Sequence, residues 1–239
     1  MDNFLVAKFQ FEIRYTYILD FESHYKSILS PYLKFASGMQ IHGQGTRNEY
    51  IKLLFEEDGY SIDCRWDRMV FVYEGEINNL KKNQSALNKI FFEIFDQISS
   101  LQSFGKITNY LIVANGVKLV ENEHFEELVE KFTSHYLSDS ANVHFDGDNK
   151  DSAIIVEYNK DGVDVTQKFG PYNCQNDIDK HDLLPFNMEE DTKLKKMNGL
   201  IMQLKFFEET AFINFDKTTV LIEEMNNIFQ KFKQETEKL

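Results

Sequence analysis

The sequence predicts an α+β fold: an internal duplication of a β-α-β-β-β-α unit, with antiparallel sheets, helices on one face and a pseudo-two-fold relation between the halves. Three observations predict it. Runs of two-residue apolar alternation are interleaved with runs at helical spacing in that order. The order is complete near Gly105 and then begins again. A hairpin signature, "FEEDGYSIDCRW" at residues 55–66, returns as "YNKDGVDVTQKF" at 158–169, each with Asp-Gly at its turn.

Residues 4–19 alternate, with Phe9, Phe11, Ile13, Tyr15, Tyr17 and Leu19 on one face and Gln10, Glu12, Arg14 and Thr16 on the other, which predicts a long half-buried strand. Residues 22–36 place Tyr25, Ile28, Leu29, Tyr32, Leu33 and Phe35 at helical spacing, closed by Gly38. The opening hairpin and the strand "MVFVYEGE" follow. A helix from Asn78 to Leu101 then carries Leu80, Leu87, Phe91, Ile94, Ile98 and Leu101 on one stripe.

In the second half, "ITNYLIVANGVKL" predicts a strand, "NEHFEELVEKFTSHY" a helix and "SAIIVEYNKDGVDVTQKF" a hairpin. "GLIMQLKFFEETAFINF" adds strand, and residues 217–238 a last helix. Side chains align at an offset of roughly 100 residues through the first strand and helix, Phe11 and Ile13 meeting Leu111 and Val113, and Ile28, Leu29 and Tyr32 meeting Leu128, Val129 and Phe132. The units are thus residues 1–104 and 105–239. At the terminal helices "LNKIFFEIF" meets "MNNIFQKFK" at a larger offset, so the second unit carries an insertion, about 170–198. That segment is polar, holds two of the three prolines and has no sustained period, which predicts an irregular excursion anchored by Leu183, Leu184 and Phe186. Two such units pack most simply about a pseudo-two-fold axis, as one curved sheet or as two sheets facing across a groove. The TATA-binding protein has a comparable layout, by architectural analogy alone.

The formal net charge of −13 opposes a sequence-independent grip on nucleic acid, whose free energy comes from Lys and Arg displacing phosphate counterions. It equally disfavours an anionic membrane surface. No apolar run approaches the roughly 20 residues of a spanning helix. The first residues, "MDNFLVAKFQFEIRY", read as a strand where a signal peptide needs a basic start and an unbroken apolar run. Cys64 and Cys174 form no CxxC pair or ligand cluster. Together these predict a cytoplasmic protein with neither membrane nor direct nucleic-acid contact.

The strand "FQFEIRY", the mid-chain run "FFEIFDQISSLQSFGKITNYLI" and the terminal "KTTVLIEEMNNIFQKF" resemble a sporadically distributed family of bacterial proteins of about this length. Where the family's mid-chain strand continues into Arg-Tyr-Asn, "VANGVKL" stands here, with Asn115 retained. The resemblance implies no established activity; the family's scattered distribution points to mobile or defence-associated genes.

Four constellations bear on chemistry. "DGDNKDSAIIVE" sets Asp146, Asp148 and Glu157 at calcium-loop spacing, but Lys150 replaces a central ligand and Asp151 the turn glycine, so it reads as a solvated loop. His135 and His144 with Asp139, Asp146 and Asp148 are apt ligands for a hydrolytic zinc or manganese centre, yet no HxH or HExxH spacing holds two of them on one rigid face. His181-Asp182 could activate Cys174 or Ser152, without the strand-turn-helix context such a nucleophile needs. "HGQGTRNEY" lacks the Lys-Ser/Thr of a phosphate loop.

The function these features predict is a non-enzymatic, acidic protein-binding scaffold or sensor-regulator, needing no cofactor. Its partner is expected to be a basic protein such as a nucleic-acid-handling effector. The expected contact lies in the insertion, at His181, Asp182, Leu183, Leu184, Phe186, Glu189, Glu190 and Asp191. An acidic DNA-mimic inhibitor and a metal-dependent hydrolase using His135, His144, Asp146 and Asp148 are the alternatives, and homo-oligomer formation is left open.

Overall fold

The structure, a computed structural model, describes residues 4–18, 21–46, 48–73, 87–137, 150–181, 183 and 188–236. Among the described residues nine strands form one continuous antiparallel sheet: β1 Phe4–Tyr15, β2 Gly38–His42, β3 Tyr50–Phe55, β4 Tyr60–Arg65, β5 Arg68–Tyr73, β6 Ile107–Leu119, β7 Ile154–Lys160, β8 Val163–Tyr172 and β9 Gly199–Glu209. Their order is β2-β3-β4-β5-β1-β6-β9-β8-β7. Of the two arrangements left open by the sequence, this is the single sheet. The helices are α1 Phe21–Leu29, α2 Phe92–Ser99, α3 Phe125–Tyr136, α4 Asp177–His181, α5 Met188–Lys196 and α6 Phe215–Thr236.

At the centre β1 and β6 pair over almost their whole lengths, Phe9 against Ala114, Phe11 against Ile112 and Ile13 against Tyr110. Strand alternation sends Phe9, Phe11 and Ile13 of β1 and Tyr110, Ile112 and Ala114 of β6 to one face, where all are buried. On that face α1, α2, α3 and α6 cover the sheet. Phe91 and Phe92 meet Phe11 with ring centroids 5.5 and 5.8 Å apart, and Phe132 meets Phe169 of β8 at 5.3 Å. Aromatic side chains thus fill the layer between sheet and helices, as the 22 Phe and 11 Tyr of the chain require.

Several expectations are corrected. The alignment at an offset of roughly 100 residues pairs buried positions in the helical segments, Ile28, Leu29 and Tyr32 with Leu128, Val129 and Phe132. In the strands it fails: it aligns Phe11 of the core face with Leu111, a neighbour of the core-facing Ile112 on the opposite face. A one-residue slip in a period-two element exchanges faces, so only an odd offset keeps burial. The first strand ends at Tyr15 rather than at residue 19, and Tyr17 is 64% exposed, its ring leaning on Trp66 at 5.1 Å. The first helix stops at Leu29 and tightens into a 3-10 turn, Ser30–Tyr32, at Pro31. β2 was not expected; its short run carries no clear alternation of burial. The last strand ends at Glu209, short of Phe215. Residues 78–86 of the long predicted helix lie outside the described residues, and Leu87–Phe91 is a π-helical turn leading into α2.

The two Asp-Gly turns also differ. Phe55 pairs with Tyr60 across a 3-10 turn, Glu56–Asp58, closed by Gly59 at φ 68°, whereas Lys160 pairs with Val163 across Asp161 and Gly162 alone, at φ 52° and 84°. The second is the two-residue hairpin loop that favours Asp-Gly because both central residues are left-handed.

The insertion is not an irregular excursion. Strand β8 continues to Tyr172, and the segment after it forms α4 and α5. Nor do all helices share one face. Val117 and Ile201 point away from the main core and form, with Tyr172, Leu183 and Leu194, a second buried cluster beneath the insertion. Of the three expected anchors Leu183 is buried there; Leu184 and Phe186 lie outside the described residues.

Gly116 of β6 sets how closely α6 approaches. A Cβ at this position would stand 2.7 Å from the Phe229 ring and 2.8 Å from that of Phe4. Gly116→Ala is expected to destabilise the protein by about 1–3 kcal/mol, the usual cost of overpacking a closed core, read as a lower urea midpoint at unchanged m-value; an unchanged midpoint would show that the two rings yield freely.

Candidate functional site

The insertion is seated by polar groups on the second face. Asn115, 1% exposed, projects from β6 to that face. Its Nδ2 donates to the carbonyl of His181 at 3.2 Å, and its Oδ1 accepts from Gln203 Nε2, directly opposite on β9, at 3.1 Å. A buried amide left unpaired costs about 1–3 kcal/mol, so these bonds fix where α4 lies. Asp177 Oδ2 accepts the Asn173 N–H at 2.7 Å, closing the turn that starts α4. Asn198 at the far end accepts from Cys174 N–H at 3.2 Å and donates to the Glu123 carbonyl at 3.0 Å. Tyr172 donates to the Leu194 carbonyl of α5 at 2.8 Å.

Beneath α4 lies a recess of about 20 Å³, bordered by Ser152, Lys168, Asp177, His181 and Gln203. It has room for about one water. His181 Nε2 is 3.7 Å from Asp177 Oδ1, so Asp177, one turn back along the helix, is a carboxylate facing this imidazole; Asp182 lies outside the described residues. Ser152 Oγ hydrogen-bonds Thr133 Oγ1 at 3.2 Å. Burial lowers the His181 pKa, more strongly than Asp177 raises it.

Of the partner-contact residues expected from sequence, His181 and Leu183 therefore face inward, and Asp191 pairs with Lys195 at 2.5 Å along α5. Glu189 and Glu190 belong to α5, while Asp182, Leu184 and Phe186 are outside the described residues. Of the hydrolase residues His135 stands on α3 with its ring against Tyr136 at 4.6 Å; Asp139, His144, Asp146 and Asp148 lie outside the described residues. Among the described residues no group of three or more His, Cys, Asp or Glu gathers to hold a metal ion. Cys64 is enclosed in the main core, where burial pushes its thiol pKa up and holds it protonated.

Sequence reasoning missed a charged belt on the second face. The chain has four arginines, and three, Arg14, Arg65 and Arg68, stand there on β1, β4 and β5. Arg68 grips Asp67 through two bonds of 3.1 Å and reaches Glu12 at 3.5 Å; Arg14 also pairs with Glu12. Arg65 pairs with Asp63 at 3.5 Å and lies over the Tyr50 ring at 4.4 Å, on which His42 stacks at 4.5 Å. Burial raises the Asp63 pKa, against the opposing pull of Lys52, Arg65 and His42. The signal is the alternation in "SIDCRWDR", where Ser61, Asp63 and Arg65 alternate with Ile62, Cys64 and Trp66.

A cavity of about 320 Å³ opens on the helical side, where α3, the ends of β6 and β9 and the last turn of α6 converge. A more open groove of about 400 Å³ runs between α6 and β7–β8, past Tyr158 and Ile228. No family model matches the chain, and no curated protein matches it in sequence. No helix of the described residues is long and apolar enough to cross a membrane.

The His181 environment carries a pH signature. Above the ordinary imidazole pKa of 6.5 the group is neutral folded or unfolded and contributes nothing to pH dependence; below it the unfolded chain takes up the proton more readily, so stability falls with pH. His181→Gln is expected to flatten the decline of the urea midpoint below pH 6.5, and identical slopes for both proteins would show that His181 is not held neutral.

Proposed function

We propose that the protein is a non-enzymatic binding scaffold, of the sensor-regulator kind, that engages a basic protein partner in the cytoplasm of a bacterium. Included in the proposal is its origin: two copies of one unit, related by a pseudo-two-fold axis between β1 and β6, in a family carried by mobile or defence-associated genes. Outward from β1 the sheet runs β5, β4, β3, β2, and outward from β6 it runs β9, β8, β7; apart from the edge strand β2, each side adds three strands in reverse chain order, as a duplication would leave them.

The observation that carries the functional reading is the separation of charge between surfaces. Three of four arginines are engaged by Glu12, Asp63 and Asp67 on the second face. Carboxylates meanwhile dominate the exposed side of α3, where Glu126, Glu127 and Glu130 stand in solvent. In a chain of 39 acidic and 26 basic residues, the helical surface is thus left to attract a cationic partner, speeding encounter and excluding acidic competitors. The insertion adds a second recognition element.

Capture of host proteins on the tagged chain, followed by mass spectrometry, tests this with two variants. The first reverses Glu126, Glu127 and Glu130 to lysine. The second replaces residues 173–198 by an Asn-Gly turn, which the pairing of Tyr172 with Gly199 permits. A specific basic partner is expected to be lost on charge reversal and to bind less tightly at about 0.5 M salt, where screening is near 4 Å. Equal recovery by wild-type and charge-reversed protein would refute the acidic-surface reading, and equal recovery by the turn variant would remove the insertion from the contact.

A further inference from the structure

β7 is an edge strand whose outer side has no pairing strand among the described residues. At the other end of the sheet β3, which stands in the same place counted outward from the centre, is covered by β2. Ile155 is 59% and Val156 48% exposed, so two adjacent branched residues meet water on opposite faces of the strand. β7 runs seven residues without a proline or a register shift, and before its last residue Glu157 is its only charge. Natural sheets blunt such edges with prolines, bulges or charges, because open main-chain groups recruit another strand.

Register decides which groups are open. Lys160 and Val163 flank the two-residue turn as a hydrogen-bonded pair, so alternation gives Ile154, Val156 and Tyr158 their bonds to β8 and turns the N–H and C=O of Ile155, Glu157 and Asn159 outward. Charge then distinguishes the occupant. Lys160 is bonded to Glu224 at 2.7 Å, but the side chains of Glu157 and Lys168 have no ion-pair or hydrogen-bond partner among the described residues. Lys168 stands opposite Ile155 on β8, on the same face as Glu157. The edge thus offers one free carboxylate and one free ammonium. A cationic partner answers only the first; a second copy of the strand, running antiparallel, answers both.

We propose that the protein forms a two-fold dimer by antiparallel pairing of β7 with β7 of a second copy, about an axis through Val156. Ile155 exchanges main-chain hydrogen bonds with Glu157 of the second copy, Ile154 faces its Tyr158, and Val156 meets its own counterpart, so both exposed apolar residues leave water. Glu157 of the second copy falls beside Ile155, about 10 Å across the sheet from Lys168, a span the two extended side chains close over the isoleucine. Symmetry makes that ion pair twice. An axis one residue on, through Glu157, would set two carboxylates directly opposite each other, which is destabilising. The charge of −13 on each copy opposes association at long range, but physiological salt confines that repulsion to about 8 Å and the contact itself is balanced. The pairing uses up the edge in both copies, so assembly through it stops at two. The inference is independent of the protein-partner reading, which rests on α3 and the insertion.

Sedimentation equilibrium on the full-length protein tests it. A dimer is expected with a Kd of about 10 μM, as suits a small interface. Val156→Lys, which sets two ammonium groups on the axis, should weaken it at least about tenfold. Glu157→Lys and Lys168→Glu should each weaken it at least about fivefold, and the double variant, which restores the ion pair with its charges exchanged, should recover it. The axis is read by cross-linking on a Cys174→Ser background, which removes the half-buried thiol. Val156→Cys should form an intermolecular disulfide under mild oxidation, because facing residues of a non-hydrogen-bonded pair stand about 4.5 Å apart at Cα. Glu157→Cys, whose counterpart lies about 7–8 Å away on the diagonal, should not, nor should Val220→Cys, exposed on α6. Circular dichroism checks that each variant is folded; all but Cys174→Ser and Lys168→Glu alter exposed side chains. A protein monomeric up to about 200 μM, an undiminished dimer in folded Val156→Lys, a double variant no tighter than either single one, or cross-linking at residue 157 in preference to 156 would overturn the proposal.

Discussion

The antiparallel pairing of β1 with β6 is the contact from which the remaining architecture follows. It joins strands of 12 and 13 residues near the middle of the sheet, and every other strand is added outward from one or the other. Register here decides which side chains face the helices. With Phe11 opposite Ile112, the aromatic and branched residues of both strands fall on one face, and Gly116 leaves room for Phe229 of α6 to come down onto it. A slip of one residue would turn Phe9, Phe11 and Ile13 outward together. The extended pairing across the middle also explains why the two halves share one core rather than forming separate domains.

A sheet with one covered face must still resolve the other. At the β4–β5–β1 end it does so with ions: carboxylates and guanidinium groups alternate along and across the strands, and the bidentate geometry of Arg68 on Asp67 is one that lysine cannot reproduce. At the β6–β9 end the neighbouring positions are Val117 and Ile201, which need burial, and Asn115, which needs partners. The insertion supplies both, Leu183 and Leu194 against the apolar pair and the His181 carbonyl for the amide. An apolar patch with a polar centre admits few docking geometries, because the amide bonds must be met at the same time as the hydrophobic contact. These contacts hold α4, Leu183 and the end of α5 on the second face.

The same division explains the distribution of charge. Three of the four arginines are paired on the second face, while Glu126, Glu127 and Glu130 stand exposed on α3. The apolar cavity sits where α3, the ends of β6 and β9 and the last turn of α6 converge.

Much of the fold is legible in the sequence. The alternation in "FQFEIRY", the stripe through Leu128, Val129 and Phe132, and the Asp-Gly hairpins each belong to local periods of two or 3.6 residues, which backbone geometry imposes wherever the apolar face is to be buried. The site was less legible. Asn115 is recognisable as important only once Gln203 and His181, 88 and 66 residues away in the chain, are seen beside it. Arg14 alternates outward in "FQFEIRY" and Arg68 stands just before "MVFVYEGE", and only the pairing of β1 with β5 brings both to Glu12. Local sequence thus determined the elements, their amphipathic faces and the mixed α+β class, since these depend on residues within one or two turns of each other. The tertiary structure alone decided the single continuous sheet, the register of β1 on β6, the docking of α4 and α5 on the second face and the pairing of the arginines. Those depend on side-chain partners distant in sequence, and a pattern of hydrophobicity records that a residue is buried without recording against what.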